Sequence, residues 1–281
     1  VENSNEANLI LIKFKERTDA WLVSQQIIRE SSLSNSKFIA LQIFIDGAKI
    51  NWEILSEEQR DFFKTFFFNL FFEWSRANES EFLMNKVSCA LIEVLKNEWP
   101  TYWPNFMHDF FQECKNPPET VLDGLRLLSL LCEIHEFPDE MLTAERMTEL
   151  TQALESEYNS IFSFLESIFD GTDDQNIIIH TLETLSHYLR WMDLQIITST
   201  KLCVKLVNNL FPYPEMRKSV LICFDAIACN AYAIVDQNLI QVFELMIHSI
   251  HQTLEQADAP ITEVYSDEDI NHQLILTLGH F

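Results

Sequence analysis

Apolar side chains recur every three or four residues along almost the whole chain, and strict alternation is nearly absent. That spacing predicts helices rather than strands. In residues 36–52, Phe38, Leu41, Ile45, Ala48 and Trp52 step by threes and fours, while Gln42, Asp46, Lys49 and Glu53 form a polar stripe at the same step. The two stripes define an amphipathic helix with one buried face. The same spacing predicts helices over 5–15, 19–31, 56–76, 81–98, 104–114, 119–135, 144–170, 174–191, 194–209, 215–230, 235–256 and 267–281. Ser56 followed by Glu57, Glu58 and Gln59 reads as an N-cap with an acidic first turn. Pro104, Pro118 and Pro214 sit at or near helix starts, and Asp173 is expected to cap another.

Thirteen helices with short connections make the fold class all-α. If alternate helices are paired, the second members begin near residues 5, 35, 82, 120, 176, 215 and 268. Their mean interval is about 44 residues, inside the roughly 40–47 of HEAT and armadillo units. The expectation is an α-α superhelix, a solenoid of about six HEAT-like repeats running as one continuous array over 1–281. A globular helix bundle is the alternative on periodicity alone. The first repeat starts with its second helix and the last stops inside a helix, so the array is expected to be truncated at both ends.

Composition narrows the function classes. The chain has 281 residues and only 4 glycines, where average usage would give about 20. The four, Gly47, Gly124, Gly171 and Gly279, are never closer than 47 residues. No glycine-rich phosphate loop and no nucleophile elbow can be built from them. Against 43 acidic side chains stand 19 Lys and Arg, a net charge of -24. That charge opposes direct binding to a nucleic-acid backbone and favours basic protein surfaces. Six cysteines, Cys89, Cys114, Cys132, Cys203, Cys223 and Cys229, stand singly in apolar stretches without C-x-x-C, which reads as reduced thiols of a nuclear or cytosolic protein. The most apolar run, 219–235, contains Asp225 and is too short to span a membrane. Residues 1–9 carry neither the basic nor the apolar part of a secretory leader.

In LKNEWPTYWPNFMHDFF, residues 95–111, the W-P-x-x-W-P of Trp99, Pro100, Trp103 and Pro104 resembles a repeat junction of the exportin-1 family, nuclear export receptors of the importin-β superfamily. Residues 14–28, 38–64 and 180–202 resemble further blocks of that family in the right order. The resemblance implies an importin-β-type amino-terminal region at about 1–55 and an exportin-1-like region at about 80–230. It implies a receptor that binds the small GTPase Ran in its GTP form. With its later repeats, that receptor carries cargo bearing leucine-rich export signals through the nuclear pore, shuttling between nucleus and cytoplasm. Partners implied are Ran-GTP, export-signal cargo through repeats outside this chain, and nucleoporins, with no nucleic acid and no membrane insertion. The phenylalanine-rich 62–74 and the acidic balance depart from the family's usual composition. Alternatives are an importing relative, a non-transport HEAT scaffold, or an all-α metal enzyme.

Under the resemblance, the Ran-facing candidates are the polar stripes of second helices: Gln42, Asp46, Lys49, Glu53, Lys86, Glu93, Asn97, Asp123, Arg126 and Glu133. The plain alternative for each is a solvated helix face. Trp99, Pro100, Trp103 and Pro104 are expected to be structural, with Pro100 ending one helix after Trp99 and Pro104 opening the next at its first position. Both indoles are expected to wedge between repeats. His180, Glu183 and His187 share a helix face, as do His248 and His251, but zinc sites of the H-E-x-x-H type need i, i+4 histidines, so no metal is expected. Cys132 and His135 lack an oxyanion turn and an orienting third group, so no cofactor and no catalysis are expected. Phenylalanines 62, 63, 66, 67, 68, 71 and 72 read as a buried helix, with nucleoporin docking as the second reading.

Overall fold

The computed structural model describes residues 10, 12–14, 17–115, 118–136, 141–199, 201–230 and 237–256. Among the described residues every regular element is helical. Most of the helix expected at 5–15, and all of that at 267–281, lie outside them. The chain divides into two compact units, Val1–Ala153 and Leu154–Phe281.

In the first unit α1 (Ala20–Glu30) packs on α2 (Ser34–Asn51), which ends in a 3-10 turn at Trp52–Ile54. Helix α3 (Glu57–Arg76) pairs with α4 (Glu81–Glu98), and α5 (Phe106–Cys114) with α6 (Pro118–Glu136). Helix α7 (Ala144–Ser156) follows. The second helices stack in a row, α2 against α4 and α4 against α6, as HEAT-like repeats do. In the second unit α8 (Tyr158–Gly171) packs on α9 (Gln175–Leu189), and α9 packs on α12 (Pro214–Asn230). Between them run α10 (Leu194–Ser199) and α11 (Leu202–Lys205), which leads into a π turn at Leu206–Leu210; α13 (Gln237–Gln256) follows α12.

The phenylalanines of α3 explain why neighbouring repeats cohere. Phe63 stacks on Trp21 at 6.0 Å and Phe67 meets Phe44 at 4.2 Å, so one side of α3 faces the first helix pair. Phe68 meets Trp103 at 5.7 Å and Phe72 meets Phe110 at 6.0 Å, so the other side faces the third. Phe63, Phe66, Phe67, Phe71 and Phe72 are buried, and each contributes about 1.5–3 kcal/mol of hydrophobic stabilisation. Only Phe62 remains substantially exposed, at 46%.

Local chemistry sets the ends. Ser56 and Gln59 form a reciprocal capping box at the start of α3. Helix α4 stops at Glu98 because Trp99, held extended before Pro100, cannot continue it. The Trp99–Pro100 peptide bond is cis. Trp99 is buried, whereas Trp103 is only half-buried against Phe68 and Phe106. Pro118 and Pro214 are the first residues of their helices.

Four expectations are corrected. Pro104 lies two residues before α5, whose N-cap is Asn105, so it precedes the helix instead of opening it. The cap of α9 is Asp174, not Asp173; its carboxylate accepts the Asn176 and Ile177 N–H groups at 2.9 and 3.3 Å. The helix expected over 144–170 breaks at Glu157, whose N–H turns back to the Leu154 carbonyl while its own carbonyl starts α8. The apolar period runs through the break, as Leu150, Leu154, Tyr158, Ile161 and Leu165 are all buried, so the pattern carries no sign of it. The helix expected over 194–209 is likewise divided, with Lys201 as the N-cap of α11.

Candidate protein-binding face

The row of α2, α4 and α6 carries most of the sequence-derived candidates. Gln42 donates to Asp46 at 2.6 Å on α2 and accepts from Lys86 of α4. The Lys86 ammonium also lies 5.0 Å from the Phe38 ring centroid, and Phe38 stacks on Phe82 at 4.2 Å. On α6, Asp123 accepts a 2.6 Å hydrogen bond from Ser75 of α3, and Arg126 pairs with Asp123 at 3.3 Å and with Glu81 of α4 at 3.2 Å. Lys86 to Gln42, Ser75 to Asp123 and Arg126 to Glu81 tie adjacent helices, while Gln42 to Asp46 and Arg126 to Asp123 are bonds within one helix that hold the same side chains in place.

Other candidates converge through their fields. Burial pushes the Cys89 thiol of α4 upward, while Lys86, Lys49 and Lys96 pull it down and Glu133 adds to the rise. Lys49 of α2, Lys86 of α4 and Glu133 of α6 therefore lie within electrostatic reach of one thiol. Lys49, Asp46 and Glu133 are exposed. Glu93 is buried at 4% exposure and pairs with Lys96 at 3.8 Å, and Asn97 donates to the Glu93 carbonyl. Glu53 stands apart on the 3-10 turn, where its carbonyl accepts from Arg60 at 3.1 Å. Exposed Ile50 and Ile54 flank Lys49 and Glu53 in sequence.

Sequence reasoning missed two polar groups. Arg146 of α7 donates to the Lys96 carbonyl at 2.9 Å and to the Trp99 carbonyl. It thereby satisfies acceptors that the end of α4 would leave unpaired. Its neighbour Glu149 accepts from Thr101. That hydrogen bond, and then Arg146, hold the Glu149 carboxyl below its usual range against the opposing effect of burial. The second group is Glu98, which accepts the Trp52 indole N–H at 2.7 Å and pairs with Lys64 at 3.1 Å. Trp52 and Glu98, and Arg146 with its two carbonyls, stand 46–50 residues apart, about one repeat along the chain, but which side chains meet at that distance depends on how neighbouring helices slide and no single stripe encodes it.

His180 Nδ1 lies 2.9 Å from Glu183, and among the described residues no three His, Cys, Asp or Glu side chains gather as metal ligands. Cys132 is buried, and the side chain of His135 lies outside the described residues. No helix among the described residues is long and apolar enough to cross a membrane.

An all-α chain of paired, stacked helices with a polar row on its second helices fits a repeat-built binding protein. Residues 80–224, more than half of the chain, match the family described as Exportin 1-like protein, and residues 7–73 match the Importin-beta N-terminal domain. The chain belongs to the Exportin 1-like protein family. It is 27% identical to Protein EXPORTIN 1B of Arabidopsis thaliana, over 98% of this chain and 26% of that protein. It is 26% identical to Exportin-1 of Drosophila melanogaster over the same shares. To Exportin-1 of Dictyostelium discoideum it is 29% identical, over 81% of this chain and 23% of that protein. The chain thus spans about a quarter of the length of the curated relatives it matches.

Proposed function

We propose that the chain is the amino-terminal segment of a nuclear export receptor and that the α2, α4 and α6 row receives Ran in its GTP form. The observation that carries this reading is the pair of family matches, in order, over 7–73 and 80–224, both covering helices of that row. About six HEAT-like repeats over 1–281 belong to the same proposal. On the row, Lys49, Asp46 and Glu133 remain exposed to a partner, and Lys86 and Arg126 are held in place by their ties. The net charge of -24 speeds encounter with a GTPase's basic patches.

In the whole receptor, export-signal cargo would bind repeats beyond this chain, and nucleoporins would escort the complex through the pore. Ran-GTP and cargo each favour the same receptor geometry, so each raises the other's affinity, and GTP hydrolysis withdraws that support. The protein has no catalytic role in this scheme and shuttles between nucleus and cytoplasm.

The test is a pull-down by the complete receptor with Ran loaded with a non-hydrolysable GTP analogue or with GDP. The GTP form should be retained preferentially, and an export-signal peptide should increase retention. Equal retention of both forms would refute Ran recognition, while an unchanged GTP-form signal with the peptide would point to an importing relative.

A further inference from the structure

On the α2, α4 and α6 row a single side chain, Gln42, stands between the Asp46 carboxylate and the Lys86 ammonium. The Gln42 amide nitrogen donates to Asp46 Oδ1 at 2.6 Å, and its amide oxygen accepts from Lys86 of α4. An ammonium only donates and a carboxylate only accepts, so the amide fits between them in one orientation alone. Neither Asp46 nor Lys86 has an ion pair among the described residues. Two opposite charges thus sit an amide's width apart on facing helices without touching.

That separation depends on the chemistry at position 42. With an apolar side chain there, the flexible Lys86 stem would let the ammonium close on Asp46, and each charge would neutralise the other. A glutamate would hold Lys86 but repel Asp46, and a lysine or arginine would do the reverse. A neutral group that accepts on one side and donates on the other keeps both charges apart and both in place. Phe38 confines Lys86 from a second side: the ammonium lies 5.0 Å from its ring centroid, and the ring stacks on exposed Phe82 at 4.2 Å. Both charges keep capacity for a partner. Gln42 takes one of the three ammonium protons and one oxygen of Asp46, which is exposed.

We propose that Gln42 is a positioning residue of this face, a neutral spacer that stops Asp46 and Lys86 from pairing and presents them as a separated anion and cation. The matching partner surface carries a cation that meets Asp46 and a carboxylate that meets Lys86, in opposite order and at the same separation. This rests on the reading of the row as the Ran-GTP contact and adds a rule of register to it. A partner slid along the face sets like charges together and is repelled.

A double-mutant cycle on the complete receptor tests this, with binding of Ran loaded with a non-hydrolysable GTP analogue measured at low salt. With Gln42 present, Asp46→Asn should weaken binding about threefold, the worth of one exposed charge contact. Gln42→Leu should weaken it about fivefold, because both charges are withdrawn into their own pair. Adding Asp46→Asn to Gln42→Leu should then reverse the sign and tighten binding about twofold, since it releases Lys86 to the partner. A side chain that only supports the fold gives no such reversal. Thermal melts separate the two roles further: Gln42→Leu should keep more stability than Lys86→Ala, because the new Lys86–Asp46 pair still ties α4 to α2. The proposal is overturned if Gln42→Leu binds as wild type does, or if Asp46→Asn weakens binding equally in both backgrounds. It is overturned as well if binding falls only in step with melting temperature. In each of these cases, wild-type retention of the GTP form leaves the Ran reading standing. A wild-type receptor without preference for Ran-GTP overturns that reading, and the spacer role with it.

Discussion

The indole of Trp52 and the carboxylate of Glu98 meet at 2.7 Å, joining the end of one second helix to the end of the next. Glu98 is only 1% exposed, and its charge is balanced by Lys64. Glu98→Ala takes one of three partners from a mostly buried ammonium, which keeps Asp61 and the Tyr102 carbonyl, and leaves the Trp52 indole N–H unpaired, so a loss of about 1–3 kcal/mol is expected in urea unfolding. Trp52→Phe, which removes one hydrogen bond but leaves the ion pair, should cost about 1–3 kcal/mol. A Glu98→Ala loss smaller than that of Trp52→Phe would show that the ion pair is not what matters here. Burial works to lower the Lys64 pKa, but hydrogen bonds to Asp61 and Glu98 outweigh it, and the net shift is upward from 10.5. A pKa raised by folding makes the stabilisation complete below the unfolded value and lets it fade only as pH rises through the folded one. The difference between wild type and Glu98→Ala should therefore hold steady across neutral pH and shrink only in strong alkali.

Gly47 lies under Trp21. A Cβ built on Gly47 would sit 2.3 Å from the Trp21 Cβ and Cγ, and neither atom is the end of a flexible chain. Gly47→Ala should therefore destabilise the first unit by about 1–3 kcal/mol through overpacking. Gly171, the last residue of α8, has nothing within 4 Å of its position. Gly171→Ala should be neutral or stabilise by up to about 1 kcal/mol. Thermal melts of the two variants give opposite signs, or the packing described for Trp21 is wrong.

Six thiols should behave as two classes. Cys89 and Cys229 are exposed; Cys114, Cys132, Cys203 and Cys223 are buried. Burial pushes Cys203 up to about 11 and raises Cys114 and Cys223 further. At pH 8 an aromatic disulfide reagent should titrate two thiols in the native protein and all six in denaturant. Fast modification of a third would contradict the burial assigned to its helix.

Arg146→Ala should cost about 1–2 kcal/mol, because the Lys96 and Trp99 carbonyls lose a charged donor. Glu149, beside it, has a folded pKa below the unfolded 4.5. Its contribution is present above that value and is lost as pH falls through the folded pKa. The stability gap between wild type and Glu149→Gln should accordingly close on acidification below about pH 4.5, as followed by denaturant midpoints at stepped pH.

Much of the fold could be read from the chain because amphipathic helices announce themselves one turn at a time. The bounds of α3 and α4 and the capping box at Ser56 follow from neighbours in sequence. The break at Glu157 does not, since Leu154 and Tyr158 keep the apolar step while the backbone turns between them. The polar row on α2, α4 and α6 was legible as three separate stripes. Its cross-links, Lys86 to Gln42 and Arg126 to Glu81, depend on how far one helix slides along the next, and no single stripe encodes that. Glu98 was missed for a related reason. Nothing beside it in the sequence hints that a lysine and an indole from other elements wait for it.

On the polar row, Lys49→Glu should weaken Ran-GTP retention several-fold while leaving the melting temperature unchanged, since Lys49 is exposed and has no ion pair among the described residues. Lys86→Ala removes a tie between α2 and α4 and should lower stability and retention together. Retention should also fall as ionic strength rises. If Lys49→Glu binds as well as wild type at low salt, the row is not the contact surface.

The aromatic wall of α3 has a consequence for how the first unit comes apart. Because Phe63 and Phe67 belong to one neighbour and Phe68 and Phe72 to the other, neither helix pair beside α3 can peel away without wetting a sheet of rings. A chain shortened at either border of that wall would present a sticky surface instead of a clean stump. Amide exchange across α2, α3 and α5 should consequently proceed through one shared opening, and trimming the array from its front end should produce aggregates before it produces a smaller soluble piece.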